Sequence, residues 1–282
     1  MTVAAELQII LVGNSVPVKD TWFTIHSAFQ HAVNLLCPEG IVSLVSKEIG
    51  GGPNNIVLSG VDFLQLKSAK IEQGNLILDG AKAPLSEAKL YNSTLHLNDI
   101  SKTDFLSGLQ IFERILIRDA HPLSSAFLLD RKREKHFIMP FEKNLRDRLK
   151  SGVDKMLDGE LSAIKEIRGL GFGFTPQGDD IVSGMLSALY VYQLLTGRST
   201  TERREKIYSL AKGKNIITNT FLYFASKGKF FERFKLLIYS LFKDENSIIS
   251  ATRRLLAIGA TSGADIGTGF ILTSKKYLRQ EE

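Results

Sequence analysis

Two adjacent acids, Asp179 and Asp180, close a segment in which glycine alternates with apolar residues: Gly169-Leu170-Gly171-Phe172-Gly173-Phe174-Thr175-Pro176-Gln177-Gly178. Alternating glycines allow positive φ and let another group approach the backbone closely. Thr175-Pro176 reads as an N-cap and first helical residue, opening a helix over residues 181–195. A glycine-rich loop that feeds a helix start offers free N–H groups and a favourable dipole to an anion. Gly171, Gly173 and Gly178, with the Thr175 hydroxyl, are the expected donors. The two carboxylates would repel that anion. One ligand satisfies both sets in two ways: a divalent cation such as Mg²⁺ bridges carboxylate and anion, or the ligand has an anionic end for the amides and N–H donors for the aspartates. Carbamoyl phosphate and amide-bearing carboxylates have that mixed character.

The segment has an echo near the C-terminus. Gly178-Asp179-Asp180-Ile181-Val182-Ser183-Gly184 aligns with Gly263-Ala264-Asp265-Ile266-Gly267-Thr268-Gly269, sharing Gly-x-Asp-Ile-x-x-Gly. Each copy can open a helix with a small face. Asp180, Ser183, Gly184, Ser187 and Ala188 share one face, and Asp265, Thr268, Gly269 and Thr273 share another. Two such helices can pack closely, which would bring Asp180 and Asp265 together at one end. We therefore take Asp179, Asp180 and Asp265 as the candidate catalytic acids, Asp180 and Asp265 as the metal ligands if a metal is used, and Ser262 and Gly263 as further ligand contacts. The competing structural role for Asp265 is a capping box with Ser262.

Other chemistry finds less support. No Lys-Ser or Lys-Thr follows the glycines, so this is not a P-loop, and the strand-first setting of a dinucleotide fingerprint is missing. The five histidines show no metal-ligand spacing. The single cysteine, Cys37, reads as a core residue. Asn34 could bond a substrate amide, and Asn55 lies in a Gly-Pro-Asn stretch (residues 50–55) that reads either as a ligand-approach loop or as a plain turn.

These residues must be positioned by two differently patterned halves. Residues 24–36, 41–46, 56–58, 70–78 and 90–97 read as strands, with the 70–78 stretch as a hairpin. Helix is the rival reading for residues 26–36. Beyond about Ser101 apolar residues recur at helical spacing: Phe105, Leu109, Phe112 and Leu116, with Asp104 able to help cap that helix, then Leu145, Leu149, Val153 and Leu157. Residues 181–195, 216–224, 230–242 and 248–258 are apolar enough for buried helices. The fold class expected is α+β: a β-rich, barrel- or sandwich-like domain at 1–118, then a mostly helical domain at 119–282. With 44% hydrophobic and 23% charged residues a sizeable core can form. No apolar run is long enough to span a bilayer, and the N-terminus does not read as a signal peptide, so no membrane role is expected and the cytoplasm is the default. The net charge of +6 suits small anions. The basic run Arg131-Lys132-Arg133-Glu134-Lys135 lacks interleaved aromatics and reads as a solvated turn or helix end, so no nucleic-acid partner is expected.

The long motif resembles the signature of the AllH-like family, Gly-Leu-Gly-x-Gly-Leu-Thr-Pro-Ser-Gly-Asp-Asp. Residues 24–35, residues 51–56 and residues 258–265 also resemble family elements. The resemblance implies a subunit of an oxamate carbamoyltransferase, a multisubunit assembly that exchanges a carbamoyl group between carbamoyl phosphate and oxamate in allantoin and purine nitrogen catabolism. Partners would then be the other subunits and a small anionic amide. This chain departs from the pattern at Phe174 and Gln177, where Leu and Ser are usual. The Gln177 change removes a small hydroxyl beside Asp179. Two other functions stay open on the residues: an Mg²⁺-dependent hydrolase or phosphoryl-transfer enzyme built on the aspartates, and a non-catalytic ligand-sensing or scaffold subunit.

Overall fold

The computed structural model describes residues 7–97 and 101–279, the side chain of Arg279 excepted. Two units emerge: residues 1–94 with Lys229–Arg233, and residues 95–228 with 234–282.

The first unit is one nine-stranded sheet among the described residues. In chain order its strands are β1 (Gln8–Gly13), β2 (Thr21–Phe29), β3 (Ala32–Cys37), β4 (Gly40–Ser46), β5 (Asn55–Ser59), β6 (Ala69–Glu72), β7 (Asn75–Leu78), β8 (Ala81–Pro84) and β9 (Lys89–Tyr91). Their spatial order is β8-β7-β6-β2-β3-β4-β5-β1-β9. Pairing is antiparallel except for β4 with β5 and β1 with β9. Val12 of β1 shares an apolar cluster with Leu78 of β7 and Ala83 of β8, from the far edge. The sheet therefore curls around one core. Bulges at Ile9/Leu11 and Ile25/Ser27 help it bend.

The stretch expected to be a single strand at 24–36 is two strands around a turn at Gln30-His31, and neither is helical. Alternation explains the outcome: along β2 Phe23, Ile25 and Ser27 are partly buried while Thr24, His26 and Ala28 are exposed, a period of two that no helix face accommodates. The 70–78 hairpin is β6–β7, with Gln73 and Gly74 at φ +49° and +74°. Cys37 ends β3, buried, its thiol donating to the Gly40 carbonyl. Residues 229–233 belong to this unit: Lys229 bridges to Thr94, and the Glu232 carboxylate accepts the Gly51 N–H at 2.6 Å.

The second unit is helical: α1 (Lys102–Asp119), α2 (Pro140–Leu157), α3 (Ile164–Ile167), α4 (Gln177–Thr196), α5 (Thr201–Ala211), α6 (Ile216–Ser226), α7 (Glu232–Ser240), α8 (Glu245–Leu256) and α9 (Ser262–Arg279). Ser101 caps α1, its hydroxyl accepting from the Asp104 amide, and Asp104 lies in the first turn, where its charge favours the helix start. The basic run forms the 3₁₀ turn Arg131–His136. There Arg133 donates to the Ile117 and Ala120 carbonyls and closes the C-terminal end of α1.

Helix α4 is the axis of this unit. Ile181, Val182, Met185, Leu186 and Leu189 share a core with Leu149, Val153 and Met156 of α2 and Leu222 of α6. On its other side α4 meets α9 at a glycine crossing. A Cβ on Gly184 would stand 2.0 Å from the Ile266 carbonyl oxygen, and one on Gly269 would stand 2.0 Å from that of Ile181. Only hydrogen in place of a side chain lets the two backbones meet this way. Among the described residues no helix is long and apolar enough to cross a membrane.

Candidate functional site

The two sequence copies are copies in three dimensions, and the likeness extends beyond seven residues. Each is a helix end, a turn and a new helix. Leu170 N–H donates to the Ile167 carbonyl at 3.0 Å, and Ile258 N–H to that of Leu255 at 3.0 Å. Gly178 N–H then donates to Leu170 O at 2.9 Å, and Gly263 N–H to Ile258 O at 3.1 Å. A Cβ on Gly178 would meet Ile167 O at 1.9 Å, and one on Gly263 would meet Leu255 O at 2.0 Å. The first-turn amides of Asp180 and Asp265 bond to Pro176 O and Thr261 O. The copies differ in the connection. Between α8 and α9 it spans residues 257–261, and between α3 and α4 residues 168–176. The longer connection holds the glycine-rich segment, with Gly169, Gly171 and Gly173 at φ +71°, +125° and +88°.

This arrangement corrects two expectations about donors. The Gly178 and Gly263 N–H groups are spent on carbonyls inside the turn, because these glycines exist to let helix ends touch. Neither is free for an anion. The amides of Gly171 and Gly173 find no acceptor among the described residues; Gly173 is exposed and Gly171 half-buried against Gln177. Thr175 is not the N-cap. That position falls to Pro176, which lacks a capping side chain, and the Thr175 hydroxyl turns inward to Asp180 Oδ2 at 3.1 Å and Ser262 Oγ at 3.0 Å. Asp265 forms no capping box either: its Oδ1 accepts the Ser125 N–H at 2.6 Å.

The crossing makes the two helix starts reciprocal. Asp180 of α4 feels the Ser262 side chain, the first residue of α9, and Asp265 of α9 feels the Gln177 side chain, the first residue of α4. Burial pushes the Asp180 carboxyl well above the carboxylate range, and the neighbouring Asp265 charge pushes it further; Ser262 and Thr175 oppose the shift. Burial likewise raises Asp265 to about 6, against the Ser125 amide. Around Asp265 three fully buried oxygens have no hydrogen-bond partner: its own Oδ2, Ser125 Oγ and Gln177 Oε1. Gln177 spends its amide nitrogen on the Leu123 carbonyl at 2.8 Å.

Asp179 faces elsewhere. It lines a cavity of about 290 Å³ together with Arg168, Gly169, Pro176, Ala211, Gly213, Lys214, Asn215, Thr218 and Asn219. The residue is 6% exposed. Its Oδ1 accepts the Gly169 N–H at 2.9 Å, and Oδ2 has no protein partner among the described residues. Burial raises its carboxyl to about 6, opposed by the Gly169 amide and the Arg168 charge. The wall from the α5–α6 connection was not legible as a site. Lys214, Asn215 and Asn219 form no motif, and their only signal is polar side chains before an apolar helix, which reads as a cap.

The remaining candidates lie in the β-rich unit. Asn34 is buried and spends its amide on Ser27 Oγ at 3.1 Å and Ser43 Oγ at 2.8 Å, pinning β3 to both neighbours. Asn55 donates to Gly50 O at 3.1 Å within its own turn. Asp180 and Asp265 supply two carboxyl groups for a cation. Among the described residues no group of three or more His, Cys, Asp or Glu side chains stands where it could hold a metal ion.

A curled antiparallel-rich sheet, with a helical unit whose paired helices start in buried aspartates, defines an α+β protein with a helix-start carboxyl site, distinct from phosphate-binding βαβ proteins. Residues 9–89 match the model of the AllH family N-terminal domain, and residues 167–274 match that of oxamate carbamoyltransferase subunit AllH. The second match begins at the residue on which Gly178 packs and ends beyond Gly269, so it spans both copies of the motif. The chain belongs to the AllH family. No solved structure matches it.

Proposed function

We propose that this chain is a subunit of a carbamoyltransferase assembly whose helical unit binds a small amide-bearing carboxylate, oxamate in the simplest case, in the cavity beside Asp179. The observation that carries this reading is Asp179 itself: a nearly buried carboxyl, one oxygen fixed by a backbone amide and the other without a protein partner, on the wall of a cavity that also holds cations. A ligand with N–H donors at one end and negative charge at the other fits both signs. The family match supports the transferase class.

The chemistry follows from those groups. The amide nitrogen of oxamate attacks the carbonyl carbon of carbamoyl phosphate; the new C–N bond forms, the C–O bond to phosphate breaks, and the nitrogen loses a proton. Asp179, with its carboxyl raised to about 6, is ionised at neutral pH and more basic than an ordinary carboxylate, which suits it to accept that proton. Asp180 and Asp265, buried at the helix crossing, do not line this cavity. The role places the reaction within the nitrogen catabolism of allantoin and purines, with the remaining subunits completing the site. The test is thermal stability of the purified chain, alone and with its partner subunits, against oxamate and carbamoyl phosphate. A rise with either ligand that is lost in Asp179→Asn is expected; no rise under any of these conditions refutes the assignment.

One observation favours a second reading, a ligand-sensing or scaffold subunit. The glycine-rich loop presents Phe172 and Phe174, each nearly half exposed, and Phe172 stacks edge-on against exposed Phe141 at 5.7 Å. Exposed aromatics on a loop suit a protein partner. A Phe172→Ser, Phe174→Ser double variant that still binds ligand but no longer co-purifies with partner subunits supports that reading; unchanged co-purification removes it.

A further inference from the structure

The cavity beside Asp179 contains two cations, and their circumstances differ. Arg168 donates through Nη1 to the Leu210 carbonyl at 3.3 Å and the Lys212 carbonyl at 2.9 Å, closing the end of α5. Lys214 makes no hydrogen bond or ion pair among the described residues, yet the backbone on both sides of it is clamped. Gly213 is held in both directions by one side chain: its N–H donates to Asn219 Oδ1 at 2.8 Å, and Asn219 Nδ2 donates to its carbonyl at 2.9 Å. Asn215 caps α6 by accepting from the Ile217 and Thr218 amides at 3.0 and 3.2 Å. Its Nδ2 donates to the Phe174 carbonyl at 3.0 Å, which ties this connection to the glycine-rich loop. Because Asn215 has taken those first-turn amides, the start of α6 has few to offer an anion. Across the cavity stands Asp179 Oδ2, nearly buried and without a protein partner.

We propose that Lys214 is the anion anchor of this cavity: it binds the carboxylate or phosphate end of a small ligand whose N–H donors face Asp179. The assignment rests on the proposed substrate class and adds the residue that selects the charged end. A locked backbone carrying an unpaired ammonium is preorganised for a small anion, since little loop order remains to be gained on binding. The side chain itself keeps its freedom, so the anchor contributes charge more than shape. Carboxylate and phosphate share this chemistry, and the anchor's source follows from which ligand its loss weakens.

The experiment measures binding of oxamate, inorganic phosphate and neutral oxamide by calorimetry to the full chain with its partner subunits, for wild type, Lys214→Met and Lys214→Arg. Lys214 is exposed, so both variants are expected to fold. Loss of a charged hydrogen bond predicts about tenfold to a hundredfold weaker anion binding for Lys214→Met, with oxamide unchanged and Lys214→Arg close to wild type. Weakening confined to oxamate identifies a carboxylate anchor, and weakening confined to phosphate identifies a phosphate anchor. Oxamate and phosphate binding within twofold of wild type in Lys214→Met overturns the proposal while the substrate assignment stands. A wild type that binds none of the three overturns both.

Discussion

Replacing Asp265 with asparagine is expected to stabilise the protein above neutral pH. The carboxyl is fully buried, and its pKa rises from 3.8 to about 6 on folding. A raised pKa means that the folded state binds the proton more tightly than the unfolded state. Its contribution is therefore fully present below pH 3.8, declines as pH rises through 6, and stays lost above that. A rise from 3.8 to about 6 corresponds to about 3 kcal/mol. Asparagine removes this penalty and keeps the essential contact, since its carbonyl can still accept the Ser125 N–H. Its amide nitrogen adds donors where Asp265 Oδ2, Gln177 Oε1 and Ser125 Oγ now lack partners. Urea denaturation of both proteins at pH 4 and pH 8 is the assay. The variant should be more stable by about 3 kcal/mol at pH 8, with the advantage shrinking toward pH 4. The remaining carboxylates cancel in the difference, apart from Asp180, which the Asp265 charge pushes up and which the variant relieves in the same direction. A variant that is less stable at pH 8, or whose advantage does not change with pH, refutes the claim that a buried, proton-binding carboxyl sits at the start of α9.

Four further outcomes follow from the same geometry. Gly184→Ala should destabilise by about 2 kcal/mol, the upper end of overpacking less the helix-propensity gain of alanine, because the new methyl meets the Ile266 carbonyl at 2.0 Å; Gly213→Ala, with nothing nearer than 4.0 Å, should melt at or slightly above the wild-type temperature. Thr175→Val removes the hydroxyl between Asp180 and Ser262 and should cost about 1–2 kcal/mol in denaturant titrations. If Asp179 accepts a proton in the reaction, the transfer rate of the assembly should rise as pH increases through about 6, and that limb should vanish in Asp179→Asn. With two carboxyl groups and no third metal-ligating acid or histidine gathered among the described residues, Mg²⁺ titration should leave the melting temperature unchanged; a rise abolished by Asp180→Asn would favour the metal-dependent hydrolase instead.

Residue pattern alone carried the division into a strand-rich and a helix-rich half, because periods of two and 3.6 are local properties of the chain. It also located the motif copies and the small helix faces, since glycine at a crossing leaves its mark in composition. The chain's own order misplaced the caps. Pattern reading gave Thr175 and Asp265 to helix starts, where such residues commonly serve, but each side chain is claimed by a group far away in sequence: Ser262 for Thr175, and Ser125 for Asp265. It likewise offered Gly178 and Gly263 as anion donors, whereas close packing against helix ends consumes their amides.

What the sequence determined by itself was the inventory: a glycine-rich connection, three aspartates, and two helix starts of one design. What only the tertiary structure decided was the distribution of work among them. The crossing of α4 and α9 withdraws Asp180 and Asp265 from water and sets the Asp265 charge against Asp180, so both hold a proton to higher pH than an ordinary carboxylate. Asp179, one residue away, points along a different helix face into a cavity whose far wall comes from residues 213–219. Adjacent residues in a helix diverge by about a hundred degrees. Two neighbouring, equally buried aspartates can therefore face different elements, one a helix crossing and the other a cavity, which no reading along the chain distinguishes.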